Sequence, residues 1–362
     1  MIPFNKPFAP PIREFEAYVT GIWERGMFTN NGPLVQELEH LLRHHLGLEH
    51  LLFVGNGTIA LQLAIRALEL KGEIITTPFS YVATTSSIVW QGCKPVFADI
   101  DPKTLNIDPD AIIERITPET SAILATHVFG NPCDVEKIDA IARKHNLKVI
   151  YDAAHCFGTT YKGQSVFASG TISTTSFHAT KIVQTVEGGA VITSDPDLND
   201  RLDLMRNFGH DGPEHYNGVG INGKNSELHA AMGLSVLKHA GAILSRRKEQ
   251  AEYYDEILDD LDFYRPHILP GAVSNRAYYP LVFENETVMH ETRKALLDAG
   301  INTRRYFYPS LSSLDYTESC DTPVSDRVAS GILCLPLFHT LRKEDQNHIA
   351  RVLQKVRKKQ PV

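Results

Sequence analysis

Two residues carry the most specific chemistry in this sequence, Lys181 and Asp152. Lys181 sits in the stretch Ser176-Phe177-His178-Ala179-Thr180-Lys181, with Glu187-Gly188-Gly189 shortly after. Residues 171–177 are rich in Thr, Ser and apolar side chains and read as a strand, as does the apolar run 190–192. A lone lysine between two strands is exposed on a turn or enclosed by a pocket, and exposure is the ordinary case. Asp152 ends a second apolar run, 149–151, inside Asp152-Ala153-Ala154-His155. Ligands of parallel α/β sheets bind outside the carboxyl ends of the strands, so an aspartate there is placed for chemistry. The same residue type also serves as a helix N-cap, and Asp152 alone leaves both readings open.

The two together narrow the choice. A lysine amine forms a Schiff base with an aldehyde. A carboxylate holds a protonated pyridine nitrogen and keeps the ring an electron sink. The pair points to pyridoxal phosphate. The turn Gly55-Asn56-Gly57-Thr58, between a strand at 51–54 and a helix carrying Leu61, Ala64, Ile65 and Leu68, exposes backbone N–H groups that suit a phosphate. It is neither a dinucleotide fingerprint nor a Walker loop. His40, His44 and His45 share a helix with no acidic third ligand at a recognisable spacing, so they read as solvated and no metal is expected.

The elements that must position these groups alternate. Strands are expected at 73–76, 95–98, 122–125 and 148–151, and helices at 12–25, 34–46, 80–91, 108–116 and 134–146. This order predicts an α/β fold with a mainly parallel sheet covered by helices on both faces. Helices are further expected at 197–208 and 226–238, separated by a glycine-rich loop at 209–223. A charged helix at 245–261 leads out of the sheet region, so the division falls into 1–244 and 245–362. The second unit reads as a smaller α+β domain with strands at 278–283 and 302–306 and helices at 291–297 and 342–358.

Composition sets outer bounds. The chain has 362 residues, 43% apolar and 22% charged, which is a folded globular composition with a large core. A net charge of -7 argues against a nucleic-acid partner. No apolar run approaches membrane-spanning length and no signal peptide is expected. The five scattered cysteines fit a reducing, cytoplasmic compartment.

The stretches around Lys181 and Asp152, with the Gly57-Thr58 turn, resemble the sugar-nucleotide aminotransferases of the DegT/StrS family. The resemblance runs from Phe28-Thr29-Asn30-Asn31-Gly32-Pro33 to Arg304-Arg305-Tyr306-Phe307-Tyr308-Pro309. It implies a fold-type I pyridoxal phosphate enzyme with a seven-stranded sheet. It implies that Lys181 binds the cofactor and shuttles the proton, with pyridoxamine phosphate as the intermediate. Asp152 would pair with the pyridine nitrogen, and His155 with the phenolic oxygen. Tyr81 would stack on the ring; its other reading is packing at a helix start. Thr58, Ile59 and Ser176 would hold the phosphate. Asn222, in Gly220-Ile221-Asn222-Gly223-Lys224, would reach the cofactor phosphate of a neighbouring subunit, which implies a homodimer with shared active sites. Lys224 stands where the family usually has arginine and lacks the planar fork. A branch of the family with histidine at the lysine position removes a hydroxyl instead; Lys181 sets this chain apart from it.

The implied substrates are L-glutamate and a nucleotide-linked ketosugar. The opening Ile2-Pro3-Phe4-Asn5-Lys6-Pro7 and the 29–33 turn look most like members acting on dTDP-4-keto-6-deoxy-D-glucose at C4, which serve surface polysaccharide and O-antigen synthesis. Asn30 and Tyr308 are candidates for sugar contact, with loop structure as the alternative. Three other readings stay open: amination at C3, a non-catalytic regulator on the same fold, and a lyase or desulfurase. The last would want a mobile loop cysteine, whereas Cys156 reads as a small buried apolar residue.

Overall fold

The computed structural model describes residues 1–261 and 263–357. Two helices come first, α1 (Ile12–Arg25) and α2 (Pro33–Leu46). β1 (His50–Val54) then leads into α3 (Gly57–Ala67), β2 (Glu73–Thr76) into α4 (Val82–Trp90), and β3 (Lys94–Phe97) into α5 (Pro109–Glu114). β4 (Thr120–Thr126) and α6 (Val135–His145) follow, then β5 (Lys148–Asp152), a small hairpin of β6 (Thr160–Tyr161) and β7 (Gln164–Ser165), β8 (Ile172–Ser176), β9 (Gly189–Thr193) and α7 (Pro196–Met205).

The central sheet has seven strands in the order β1-β9-β8-β5-β4-β2-β3. Pairing is parallel from β8 through β5, β4 and β2 to β3, and β9 runs against both β8 and β1. The expected mainly parallel, seven-stranded α/β sheet is therefore present. Its strands alternate between two cores. Val149 and Tyr151 of β5 face a cluster with Ile138 and Ala142 of α6, while Ile150 faces one with Leu61, Ala64 and Ile65 of α3. That is the two-residue period of a strand buried on both faces. A third core joins α2 through Leu38 and Leu42 to α8 (Glu227–Leu237) through Ala231 and Leu234.

The remainder is α9 (Ala240–Ile257), β10 (Ala272–Val273), β11 (Tyr279–Val282), α10 (Glu286–Asp298), α11 (Pro323–Gly331), β12 (Ile332–Leu335) and α12 (Lys343–Arg357). β11 pairs antiparallel with β12, over a core containing Tyr254, Leu281, Met289, Leu296, Leu333 and Leu353. The structure corrects three expectations here. The helix expected from residue 245 starts at Ala240, so the 244/245 division falls inside it. The helix expected from residue 291 starts at Glu286, where the Asn285 side chain accepts the Val288 N–H. The strand expected at 302–306 reduces to one bridge between Arg304 and Cys334, because Asn302 donates its N–H to Ile2 of the N-terminal arm instead.

One contact sets how closely α3 approaches the sheet. Gly189 pairs with Ser176 on one side and Val54 on the other. A Cβ there would lie 2.5 Å from the Asn56 carbonyl carbon and 2.7 Å from the Gly57 nitrogen. Both are backbone atoms and cannot swing aside. Gly189→Ala should cost about 1–3 kcal/mol, as overpacking does, and push the start of α3 off the strand ends. Urea unfolding reads the loss, and an unchanged midpoint would show that the α3 start yields freely.

Candidate active site

A cavity of about 530 Å³ opens at the carboxyl ends of β4, β5 and β8, lined there by Thr126, Asp152 and Ser176. Its size suits a small ligand. Lys181 lies on its wall, in the loop between β8 and β9, and this loop is tightly laced. The Lys181 N–H donates to His178 O at 2.8 Å, and Phe177 N and Thr185 N close the loop base on Gly188 O and Phe177 O. The N-terminal arm reaches in as well, with Asn5 Nδ2 donating to Thr180 O at 2.8 Å. Burial pushes the Lys181 amine down to about 8, with the Asp152 carboxylate acting against that shift.

Asp152 is buried, and burial raises its pKa from the usual carboxylate value. Two hydrogen bonds oppose this. Thr84 Oγ1 donates to Asp152 Oδ2 at 2.7 Å and Ala154 N to Oδ1 at 3.1 Å. Thr84 also contacts Ser80 at 2.7 Å, and Ser80 contacts Thr126 at 2.9 Å. Each hydroxyl has one proton. Thr84 spends its proton on Asp152, so Ser80 donates to Thr84, and Thr126 donates to Ser80. The chain of hydroxyls thus points one way and ends on the carboxylate.

His155 is buried, and burial, helped by Lys181, holds it well below the usual imidazole pKa. It is neutral at pH 7. Its ring lies parallel to Phe307 with centroids 5.8 Å apart, and its Nδ1 has no partner. At the start of α3, Asn56 Oδ1 accepts the Ile59 N–H at 2.9 Å. This bond bears on the expected phosphate seat. The Ile59 amide is committed to the cap, while Gly57 and Thr58 line the cavity.

These residues fit pyridoxal phosphate. Asp152 accepts two bonds and has lone pairs to spare for a ring N–H. The unpartnered His155 Nδ1 suits a phenolic oxygen, and Thr58 and Ser176 share the cavity wall with Lys181. Tyr81, half exposed at the start of α4, lines the same cavity.

Three expected site residues lie elsewhere. Asn30 does not line the cavity. It belongs to a turn shaped by packing, because a Cβ on Gly32 would meet Glu227 Cδ at 2.6 Å, and the Glu227 carboxylate accepts the N–H groups of Leu34 and Val35. Tyr308 also lies off the wall, since its ring face is taken by the Arg305 guanidinium at 3.4 Å. Asn222 does not line this chain's cavity, and its Oδ1 accepts from Lys224 Nζ at 2.7 Å. The outer wall comes instead from Tyr278, Arg304, Tyr306 and Phe307. Thr84, Ser80 and these wall residues were not singled out from the sequence. The Thr and Ser in Pro78-Phe79-Ser80-Tyr81-Val82-Ala83-Thr84 were the available signal for the first two.

Known proteins resemble this chain over nearly its whole length. Residues 12–354 match the DegT/DnrJ/EryC1/StrS aminotransferase family. The chain is 43% identical over 360 residues to a Shigella dysenteriae protein named dTDP-4-amino-4,6-dideoxy-D-glucose transaminase, covering 98% of each chain. An Escherichia coli protein of the same name is 39% identical, with 97% of this chain and 98% of that one covered. The crystal structure of DesI in the presence of its TDP-sugar product superposes with a TM-score of 0.93 at 32% identity, over 98% of this chain and 93% of that one. With a lysine and a strand-end aspartate in one cavity, and matches over nearly its whole length, the chain belongs to the DegT/DnrJ/EryC1/StrS aminotransferase family.

Proposed function

We propose that this enzyme transfers the amino group of L-glutamate to C4 of dTDP-4-keto-6-deoxy-D-glucose, releasing 2-oxoglutarate and forming dTDP-4-amino-4,6-dideoxy-D-glucose. The observation that carries the reaction type is the Lys181 amine in one cavity with Asp152 at the end of β5. The names of the Shigella and Escherichia relatives support the sugar and the carbon. A product of this kind suits surface polysaccharide and O-antigen assembly.

Pyridoxal phosphate is the cofactor, and when bound it supplies an aldehyde for a lysine amine and a ring that withdraws electrons. The chain's own groups do the rest. Lys181 Nζ would hold the cofactor and, once released, accept and return the proton of the substrate carbon. Asp152 would keep the ring nitrogen protonated, and the Thr84–Ser80–Thr126 chain keeps Asp152 aimed. Neutral His155 offers Nδ1 to the phenolic oxygen. Tyr81 would cover one ring face, and the Thr58 amide and Ser176 hydroxyl would take the phosphate.

A homodimer completes this reading. Asn222 is outside its own cavity lining, in a segment with exposed apolar residues Phe208, Val219 and Ile221, and in a dimer it would serve the partner's phosphate. We also keep the division into units 1–244 and 245–362, joined through α9, whose Ile243 and Tyr254 enter different cores.

Successive addition of substrates tests the function. Glutamate should abolish the visible absorption band of the loaded enzyme, and dTDP-4-keto-6-deoxyglucose should restore it. NMR of the product should place the amine on C4. An amine on C3 would replace the regiochemistry, and no response to the sugar would reject the substrate.

Cofactor capture by the stripped enzyme requires the neutral amine. The Lys181 pKa is pushed down to about 8, so the capture rate should climb as pH rises through 8 and level off above it. Stopped-flow absorbance reads the rate, and a flat profile from pH 7 to 9 would contradict it. Lys181→Ala should lose both the band and turnover.

Thr84→Val keeps the shape and removes the donor to Asp152. Hydrogen bonds to charged groups contribute about 1.5–3 kcal/mol, so cofactor affinity should drop about tenfold or more. Equilibrium dialysis checks this, and unchanged affinity would show that Ala154 N alone holds the carboxylate.

A further inference from the structure

Two adjacent arginines, Arg304 and Arg305, have opposite fates. Arg305 is committed: its Nη2 donates to Glu286 at 2.9 Å and to Ser330 O at 2.9 Å, and its guanidinium covers the Tyr308 ring. Arg304 lines the cavity and is exposed. Its backbone is pinned, with Cys334 N donating to Arg304 O at 2.7 Å and Arg304 N to Cys334 O at 3.2 Å. Its guanidinium carbon lies 5.0 Å from the Tyr306 ring centroid. The side chain is thus rooted and shelved against an aromatic, while no side-chain hydrogen bond or ion pair occupies it among the described residues. The other charges on the wall are accounted for. Glu187 lies 3.7 Å from His178, Asp152 is held by Thr84 and Ala154, and Lys181 serves the cofactor.

We infer that Arg304 is the oxyanion-binding residue of the substrate site, an assignment that rests on the function proposed above. Guanidinium presents a planar fork matched to carboxylate and phosphate. Both proposed substrates carry such a group: glutamate has two carboxylates, and the sugar nucleotide has a diphosphate. The cavity has one guanidinium among its described lining residues to receive either.

The two half-reactions separate these sources. Arg304→Gln and Arg304→Lys would be loaded with pyridoxal phosphate and mixed with glutamate. Each would then be converted to the aminated form and mixed with the sugar nucleotide. Arg304→Gln should raise the half-saturating concentration about 10- to 100-fold in one half-reaction, as loss of a charged hydrogen-bonding partner does. The maximal rate and the visible spectrum should stay within about twofold, and Arg304→Lys should recover part of the loss, because charge remains without the fork. A rise confined to glutamate assigns the carboxylate, and one confined to the nucleotide assigns the diphosphate. If the wild-type enzyme ignores this sugar, the functional reading has failed separately, and the glutamate arm still reads Arg304, alongside calorimetric binding of free thymidine diphosphate. Half-saturation within twofold of wild type for every ligand overturns the assignment, as does a loss of maximal rate with unchanged half-saturation.

Discussion

Keeping an amine and a carboxylate together out of water is the constraint on which this structure turns. Burial pushes Lys181 toward its neutral form and Asp152 toward its protonated form, while each charge favours the other. Ionised, the pair is stabilised by mutual attraction; neutral, both groups escape the cost of desolvation. A free amine is needed to capture an aldehyde, and a carboxylate is needed to hold a pyridine proton. The hydroxyl chain from Thr126 through Ser80 to Thr84 adds polarity at Asp152 alone. It favours the carboxylate, while burial is what holds the Lys181 amine down to about 8 against the pull of that charge.

The fold delivers this arrangement through one reversal. Parallel strands bring Thr126, Asp152 and Thr174 into register, so hydroxyl and carboxylate emerge at the same edge. The chain then returns as β9 rather than crossing over through a helix, which leaves the Lys181 loop at the same edge. Gly189 lets α3 begin against that return strand, and the amides of Gly57 and Thr58 arrive where the lysine loop ends. Beyond the sheet, Phe79, Phe129, Phe307 and Tyr278 pack ring to ring between the strand ends and the C-terminal unit. Aromatic pairs add to their buried area, so the same cluster that closes the cavity fixes the wall beside His155.

Much of this was legible in the residues, and the boundary of legibility is physical. Strands such as 73–76 and helices such as 12–25 declared themselves by local period, and the structure places both at those residues. Asp152 and Lys181 were readable because strand-end position is itself local. Thr84 was not, because it meets Asp152 across 68 residues of chain and a threonine in a first helical turn has many uses. The surroundings of Asn30 and Tyr308 were hidden for a related reason. A Gly-Pro turn and an aromatic-proline segment look the same whether they face a substrate or, as here, the Glu227 carboxylate and the Arg305 guanidinium. The 302–306 strand failed because its partner was the N-terminal arm, far away in sequence.

The cavity divides labour along the same line. Groups that must touch the cofactor rise from the sheet edge and the α3 turn, where pairing and capping leave little freedom. The outer wall of Arg304, Tyr306 and Phe307 comes from a segment held by one bridge to β12 and by aromatic packing. Such a segment can change side chains without disturbing strand register. The cavity's outer wall can therefore vary while Lys181, Asp152 and the hydroxyl chain stay in place. On this geometry new side chains at 304–307 reshape the outer wall and leave the Lys181 loop and the end of β5 as they are.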